Sequence, residues 1–199
     1  ESESRGLGDV YKRQSLYLQS GTSNGSGLLC HGAGAKILPV RNSTSVDATI
    51  DLGQGNRRFK DLYLSGGVFL GGTGSANKLD DYEQGTFTIT LVGASFGGLD
   101  TTAYYTKIGQ QVFFNWYSGA FDIASASGAA RFDSLPFTAS NGTQQYGVFN
   151  YVHGTALTGT TGGYIQKGTN YAYWVGTGTT SSVTLINGSS KYIMISGHY

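Results

Sequence analysis

The residues able to do chemistry fall in a few places. Residues 93–97, "GASFG", match the G-x-S-x-G pattern that exposes a serine nucleophile, here Ser95, where a strand turns sharply into a helix. The continuation "GGLDTTAYYT" has no helical pattern. In a chain with 32 glycines such matches arise by chance, so a structural turn is the expectation. Asp80, Asp81 and Glu83 are the densest acidic cluster and have the types for a hard-cation site or a carboxylate pair. They lack the alternating acids and distal Glu of a calcium loop, and a polar turn is expected. His31, His153 and His198 have no ligand spacing, and Cys30 beside His31 supplies too few ligands for zinc. No catalytic residue, metal or cofactor is expected, and the chain reads as no enzyme.

The richest stretch is residues 150–181, "NYVHGTALTGTTGGYIQKGTNYAYWVGTGTTS", where Lys167 is the sole charge. Rigid amphipathic rings stand beside small adaptable amides and hydroxyls, the composition of a binding surface. Sugars suit it: their C–H faces lie on rings, and their hydroxyls bond to amides and hydroxyls. The candidate glycan contacts are Asn150, His153, Tyr164, Gln166, Asn170, Tyr171, Tyr173 and Trp174. Strand aromatics also build cores. In "YAYW", Tyr171 and Tyr173 share one face and Trp174 takes the other, so these three cannot all face solvent on a two-faced sheet.

Composition bounds the rest. Charged residues make up 13% of the 199, against about 25% in a typical domain, and the net charge is +1. This balance argues against broad nucleic-acid binding. With 14 Tyr, 10 Phe and 2 Trp, the chain lacks the aromatic-poor signature of disorder. A single cysteine excludes an internal disulfide. No apolar run approaches the roughly 18 residues of a membrane helix, so no membrane insertion is expected. The opening "ESESRGLGDVYKRQ" (1–14) resembles a translated sequencing adapter, read as a non-native segment. Without it the chain loses Arg5, Lys12, Arg13, Glu1, Glu3 and Asp9, and the net charge stays +1.

The elements that must position these residues read as strands. "FTITLVG" (87–93), "YYTKIG" (104–109), "QVFFNWYSGAF" (111–121), "QYGVFNYV" (145–152), "GYIQKG" (163–168), "YAYWVG" (171–176), "SVTLI" (182–186) and "KYIMISG" (191–197) alternate, or are rich in β-branched and aromatic residues between turn signals. Both faces of "QVFFNWY" carry aromatics, so packing on both sides is expected. Asn-Gly at 24–25, 141–142 and 187–188 reads as hairpin turns, a simpler account than glycosylation. Residues 81–199 suit an all-β, jelly-roll-like sandwich. Residues 15–80 hold shorter apolar runs, including "SLYLQSG" and the similar "DLYLSGG", too few to bury a core alone.

"DLG" (51–53), "RRFKDLYLSGGV" (57–68) and "LDDYEQGTFT" (79–88), followed by "YYTKIGQQVFF" (104–114) and "LPFTA" (135–139), resemble a segment of tail-fibre and related virion proteins of tailed bacteriophages. The similarity covers most of residues 50–140. It implies a homotrimer with a β-rich neck (15–80) and a β-sandwich tip (81–199). It further implies attachment to bacterial surface polysaccharide or lipopolysaccharide, location in the virion, and partners among other tail or baseplate proteins. Phe87 stands where the family often has Trp, and residues 141–181 are not matched, as expected of host-contacting loops.

On that resemblance "RRFKDLYLSGG" is a structural joint and not a nucleic-acid patch, its cations followed by strand alternation within "FKDLYLSG" (59–66) that ends in a Gly-Gly turn. Asp51 and Asp61 balance its cations, and the apolar residues Phe59, Leu62, Leu64, Val68 and Leu70 are expected at an oligomer neck. The alternatives are a trimerisation cap without ligand and a piece of a polysaccharide-degrading tailspike.

Overall fold

The computed structural model describes residues 16–21, 25–31 and 35–199. The adapter reading of residues 1–14 and the turn at Asn24 lie outside them. The chain divides into two compact units, Glu1–Tyr63 and Leu64–Tyr199.

In the first unit β1 (Leu16–Gln19), β2 (Ser26–His31), β3 (Lys36–Arg41) and β4 (Thr44–Ser45) form an antiparallel sheet in chain order. Leu29 and Val40 are buried, whereas Leu16, Leu18, Leu28 and Ile37 are exposed. A single small sheet covers few of its own apolar positions, because burial needs a second layer. Beyond it, the main chain of Gln54 and Arg57 exchanges two hydrogen bonds of 3.0 and 2.9 Å, closing a turn.

"FKDLYLSG" (59–66) corrects one expectation. It reads as an alternating strand but forms none, and Leu62, Tyr63 and Leu64 are all exposed. The similar "SLYLQSG" does supply β1, since β2 lies alongside to pair with it. A strand is stabilised by its ladder partner, and alternation alone provides none.

The second unit opens with a small hairpin, β5 (Val68–Phe69) and β6 (Lys78–Leu79), around the 3₁₀ turn Ser75–Asn77. The remaining strands are β7 (Tyr82–Thr88), β8 (Thr90–Val92), β9 (Ser95–Gly97), β10 (Thr102–Ile108), β11 (Gln111–Tyr117) and β12 (Phe121–Ala124). After them come β13 (Arg131–Asp133), β14 (Gly147–Gly154), β15 (Gly162–Ile165), β16 (Ala172–Val175), β17 (Gly188–Lys191) and β18 (Ile193–His198). The protein is all-β and its C-terminal unit is a sandwich. A nine-stranded sheet runs β7-β10-β11-β18-β14-β15-β16-β13-β8, and β17-β12-β9 form a three-stranded sheet.

The large sheet nearly closes on itself. Its two edges, β7 and β8, are consecutive in the chain and separated only by Ile89. β7 pairs with β10, β8 pairs with β13, and the fully buried Ile89 marks where the run changes partner. Strands that bend from one layer to the other in this way make the corners of sandwiches and leave fewer edges exposed.

Inside, Phe132 on β13 touches Phe114, Phe149 and Trp174 at ring-centre distances of 5.9, 5.0 and 5.1 Å. Phe121 and Ile123 of the smaller sheet enter the same core. Each large apolar side chain so buried contributes about 1.5–3 kcal/mol. The polar atoms enclosed here are largely paired. Ser118 accepts from the Ile193 N–H and donates to the Gly119 carbonyl, both at 2.8 Å, and the Trp116 indole N–H donates to the Asp100 carbonyl at 2.8 Å.

Several turns differ from their reading. Neither Asn nor Gly at 141–142 takes positive φ, so that pair is no type I′ turn. Asn187 instead accepts the Ala126 N–H at 2.8 Å, an anchor between distant segments. Among the described residues, two-residue hairpin loops fall at Asn42–Ser43, with φ +52° and +61°, and at Gly109–Gln110, where Gly109 has φ +58°. "SVTLI" forms no strand beyond a single bridge at Ser182, although Leu185 is buried. Within this chain only one face of "QVFFNWY" packs: Val112, Phe114 and Trp116 are buried, and Phe113, Asn115 and Tyr117 are exposed.

Candidate functional site

The β15–β16 hairpin and β13 build an aromatic surface. Alternation sends Ile165, Ala172 and Trp174 into the core and leaves Tyr164, Gln166, Tyr171 and Tyr173 on the other side, half-buried. Tyr164 and Tyr173 are direct cross-strand partners with ring centres 6.0 Å apart. Tyr171 meets Tyr173 at 5.5 Å, and Tyr146 meets Tyr164 edge-on at 5.8 Å. The Gln166 main-chain N–H donates to the Tyr171 carbonyl at 3.1 Å, which extends the ladder and sets Gln166 across from Tyr171.

Cations border this surface. Arg131 lies opposite Tyr173 across the β13–β16 pair. Its guanidinium carbon is 5.0 Å from the Tyr171 ring centre and 5.9 Å from that of Tyr173. Arg131 Nη2 donates to Asp133 Oδ2 at 2.9 Å, while Nε sits 2.7 Å from Oδ1 without the alignment of a hydrogen bond. The Tyr173 hydroxyl first, and Asp133 second, hold the guanidinium above its ordinary pKa. Lys167 Nζ lies 6.0 Å from the Tyr146 ring centre. Burial, then the neighbouring phenols of Tyr173, Tyr146 and Tyr171, pushes the Tyr164 phenol up. At neutral pH it therefore keeps its proton and can both donate and accept. Stacked cations hold the rings in place, and a paired guanidinium presents little free charge to a ligand.

Of the eight sequence candidates, Tyr164, Gln166, Tyr171 and Tyr173 come together here. Asn170 is exposed at the tip of the same hairpin, with its carbonyl taking the Leu135 N–H at 2.9 Å. Asn150 is outward on β14, opposite Ser196 of β18 and Gly162 of β15. His153 follows a register irregularity in β14 and joins a separate group with Tyr117 and Tyr192, at ring-centre distances of 6.4 and 5.9 Å.

Trp174 must be corrected. It is 0% exposed and packs on Phe132 and Phe149 at 5.1 and 5.4 Å, so its ring is core and not ligand contact. Parity across "YAYW" decides it: with Tyr171 and Tyr173 outward, Trp174 faces in.

Sequence reading missed Arg131, Asp133 and Tyr146. β13 is three residues long, too short for a period, and its Arg-x-Asp spacing was the available signal.

The other chemical candidates dissolve into structure. Ser95 starts β9 and pairs with Ala124, which is no strand-to-helix elbow. Asp80 pairs with Lys78 at 2.9 Å, Asp81 pairs with Lys107, and Glu83 accepts the Tyr105 hydroxyl from within β7. Among the described residues, no three His, Cys, Asp or Glu side chains gather as a metal site would require. Compared with protein-family models, curated proteins and solved structures, the chain matches none of them.

Proposed function

We propose that this chain is the neck and tip of a tailed-bacteriophage fibre protein, whose sandwich binds bacterial surface glycans during adsorption. The tip acts by binding and not by catalysis. Its ligand is polysaccharide or lipopolysaccharide of the host surface, and its setting is the virion beside other tail and baseplate proteins. The observation that carries the binding reading is the cross-strand row Tyr164–Tyr173–Arg131, which sets rings, an amide and a neutralised cation on one solvent-accessible surface. The resemblance of residues 50–140 to tail-fibre segments supports the virion setting. A homotrimer multiplies weak sites into firm attachment.

Exposed apolar side chains favour self-association as the role of the neck residues. Phe59 and Leu62 are each 66% exposed, Leu64 and Leu70 are also exposed, and Val68 is half-buried in β5. Such a run costs free energy in water unless another chain covers it.

The test is a glycan array probed with the purified protein, followed by incubation with the host polysaccharide it selects. Binding without new reducing ends is expected. Release of reducing ends would assign a depolymerase, and an array without hits would assign the ligand-free cap.

A further inference from the structure

A second surface lies on the same outer face of the large sheet and begins on four strands the hairpin site does not use. Asn115 on β11, Ser196 on β18 and Asn150 on β14 are successive cross-strand partners, and Tyr104 on β10 flanks Asn115. All of them point outward, because their chain neighbours Ala103, Phe114, Ile195 and Phe149 are in the core. Two residues along each strand, Phe113 and His198 form a parallel row, with ring centres 6.1 Å apart. A cleft of about 330 Å³ lies over these rows.

The path does not stop at β14. Asn150 faces Gly162, so the next strand offers no side chain to block it. A larger trough of about 840 Å³ continues there, bounded by Thr161 and by Thr177, Thr179, Thr180 and Ser181. Asn150 and Val148 line both clefts, and neither cleft is lined by any Asp, Glu, Lys or Arg. From β10 to β16 the sheet order counts five inter-strand steps, roughly 24 Å at about 4.8 Å each.

We propose that this path is a binding groove for an internal stretch of an uncharged polysaccharide laid across the strands. The proposal rests on the glycan-binding reading and deepens it. Amides and hydroxyls both donate and accept, as sugar hydroxyls do, and rows of them at strand spacing match a ligand with repeating hydroxyls. The flanking rings of Tyr104, Phe113 and His198 offer apolar faces for sugar C–H groups. Backbone groups under the groove are used in the sheet ladder, which leaves none for strand-like peptide addition. The lack of charge disfavours nucleic acid and acidic glycans.

The experiment compares neutral oligosaccharides, from mono- to octasaccharides, and their parent polymers with acidic polysaccharides. Binding to the wild-type protein and to Asn115→Ala, Asn150→Ala and Tyr164→Ala is measured by calorimetry at low and high salt. The groove predicts that neutral chains bind, that affinity rises with length, and that salt has little effect. Asn115→Ala and Asn150→Ala together should weaken long chains by about tenfold or more with unchanged thermal stability.

Four results would overturn the groove. Two of them, equal affinity for short and long chains with no effect of the Asn variants, and salt-sensitive selection of acidic polymers, spare glycan binding by the hairpin, which Tyr164→Ala then reports. No binding to any glycan would end both readings. A dissociating effect of Phe113→Glu on the assembled protein would assign this face to a second copy of the chain.

Discussion

Phe114 and Phe132 have ring centres 5.9 Å apart, although four strands separate β11 from β13 in the sheet. The pair meets because the sheet curls until its inner face contacts itself, and Phe132 sits at the junction with Phe149 and Trp174. Phe132→Ala is therefore expected to cost about 3–5 kcal/mol, the range for a buried aromatic that leaves a cavity. Urea unfolding followed by tryptophan fluorescence checks it. A loss below about 1 kcal/mol would show that this junction does not close the core.

Tyr173 and Trp174 are adjacent but serve opposite sides. Tyr173→Ala should weaken glycan binding at least severalfold while changing stability by about 1 kcal/mol or less, since its ring is only half-buried. Trp174→Ala should destabilise by about 3–5 kcal/mol. Trp174→Phe keeps an aromatic in the core and removes an indole N–H that has no hydrogen-bond partner, so binding by this folded variant should match wild type. A binding defect confined to Trp174→Phe would reverse the assignment of the two faces.

Arg131 is placed to act through geometry. Arg131→Lys keeps the charge but loses the flat group that covers Tyr171 and the paired contact to Asp133. Weaker glycan binding than wild type is expected, with little change in the salt dependence of binding, because the cation is already neutralised by Asp133. A large change in salt dependence would mean that the guanidinium contacts an anionic ligand directly.

Tyr199 supplies an alkaline transition. Its hydroxyl accepts the Phe137 N–H at 3.2 Å, and burial pushes its phenol from 10.0 up to about 12. A raised folded-state value means that the neutral phenol is the one the fold favours. Its stabilisation is complete below about pH 10 and is lost as pH rises towards 12. Melting temperature should fall over that window, and Tyr199→Phe should flatten the fall. An identical alkaline profile in the variant would remove Tyr199 from the account.

The neck residues give a test of assembly. Sedimentation of the intact protein should find three chains per particle, and Leu62→Asp should dissociate it, because a charge at an apolar interface is costly. Arg58→Ala should leave glycan binding unchanged. A wild-type monomer at micromolar concentration would end the trimer reading.

Strand content was legible in the alternation of "QVFFNWY" and "KYIMISG", because period two on a half-buried sheet is a local property. The all-β class and much of the buried set in β11 and β18 follow from it. The types of the hairpin site were legible in the same way, as tyrosines and amides in a low-charge stretch. Alternation could not tell which parity faces inward, so Trp174 remained among the ligand candidates until the sheet's curl assigned it to the core. Nor could it reveal that Arg131 stands opposite Tyr173, or that Asn115, Ser196 and Asn150 line up across three strands. Those alignments join residues that are distant in the chain, through registers fixed by the whole sheet. "FKDLYLSG" makes the converse point: its alternation is as clean as that of β1, yet no strand forms where no partner pairs with it. The sequence by itself determined the material of the sheet and the side-chain types its faces carry. Tertiary structure decided pairing, parity and closure, because those depend on which strands become neighbours.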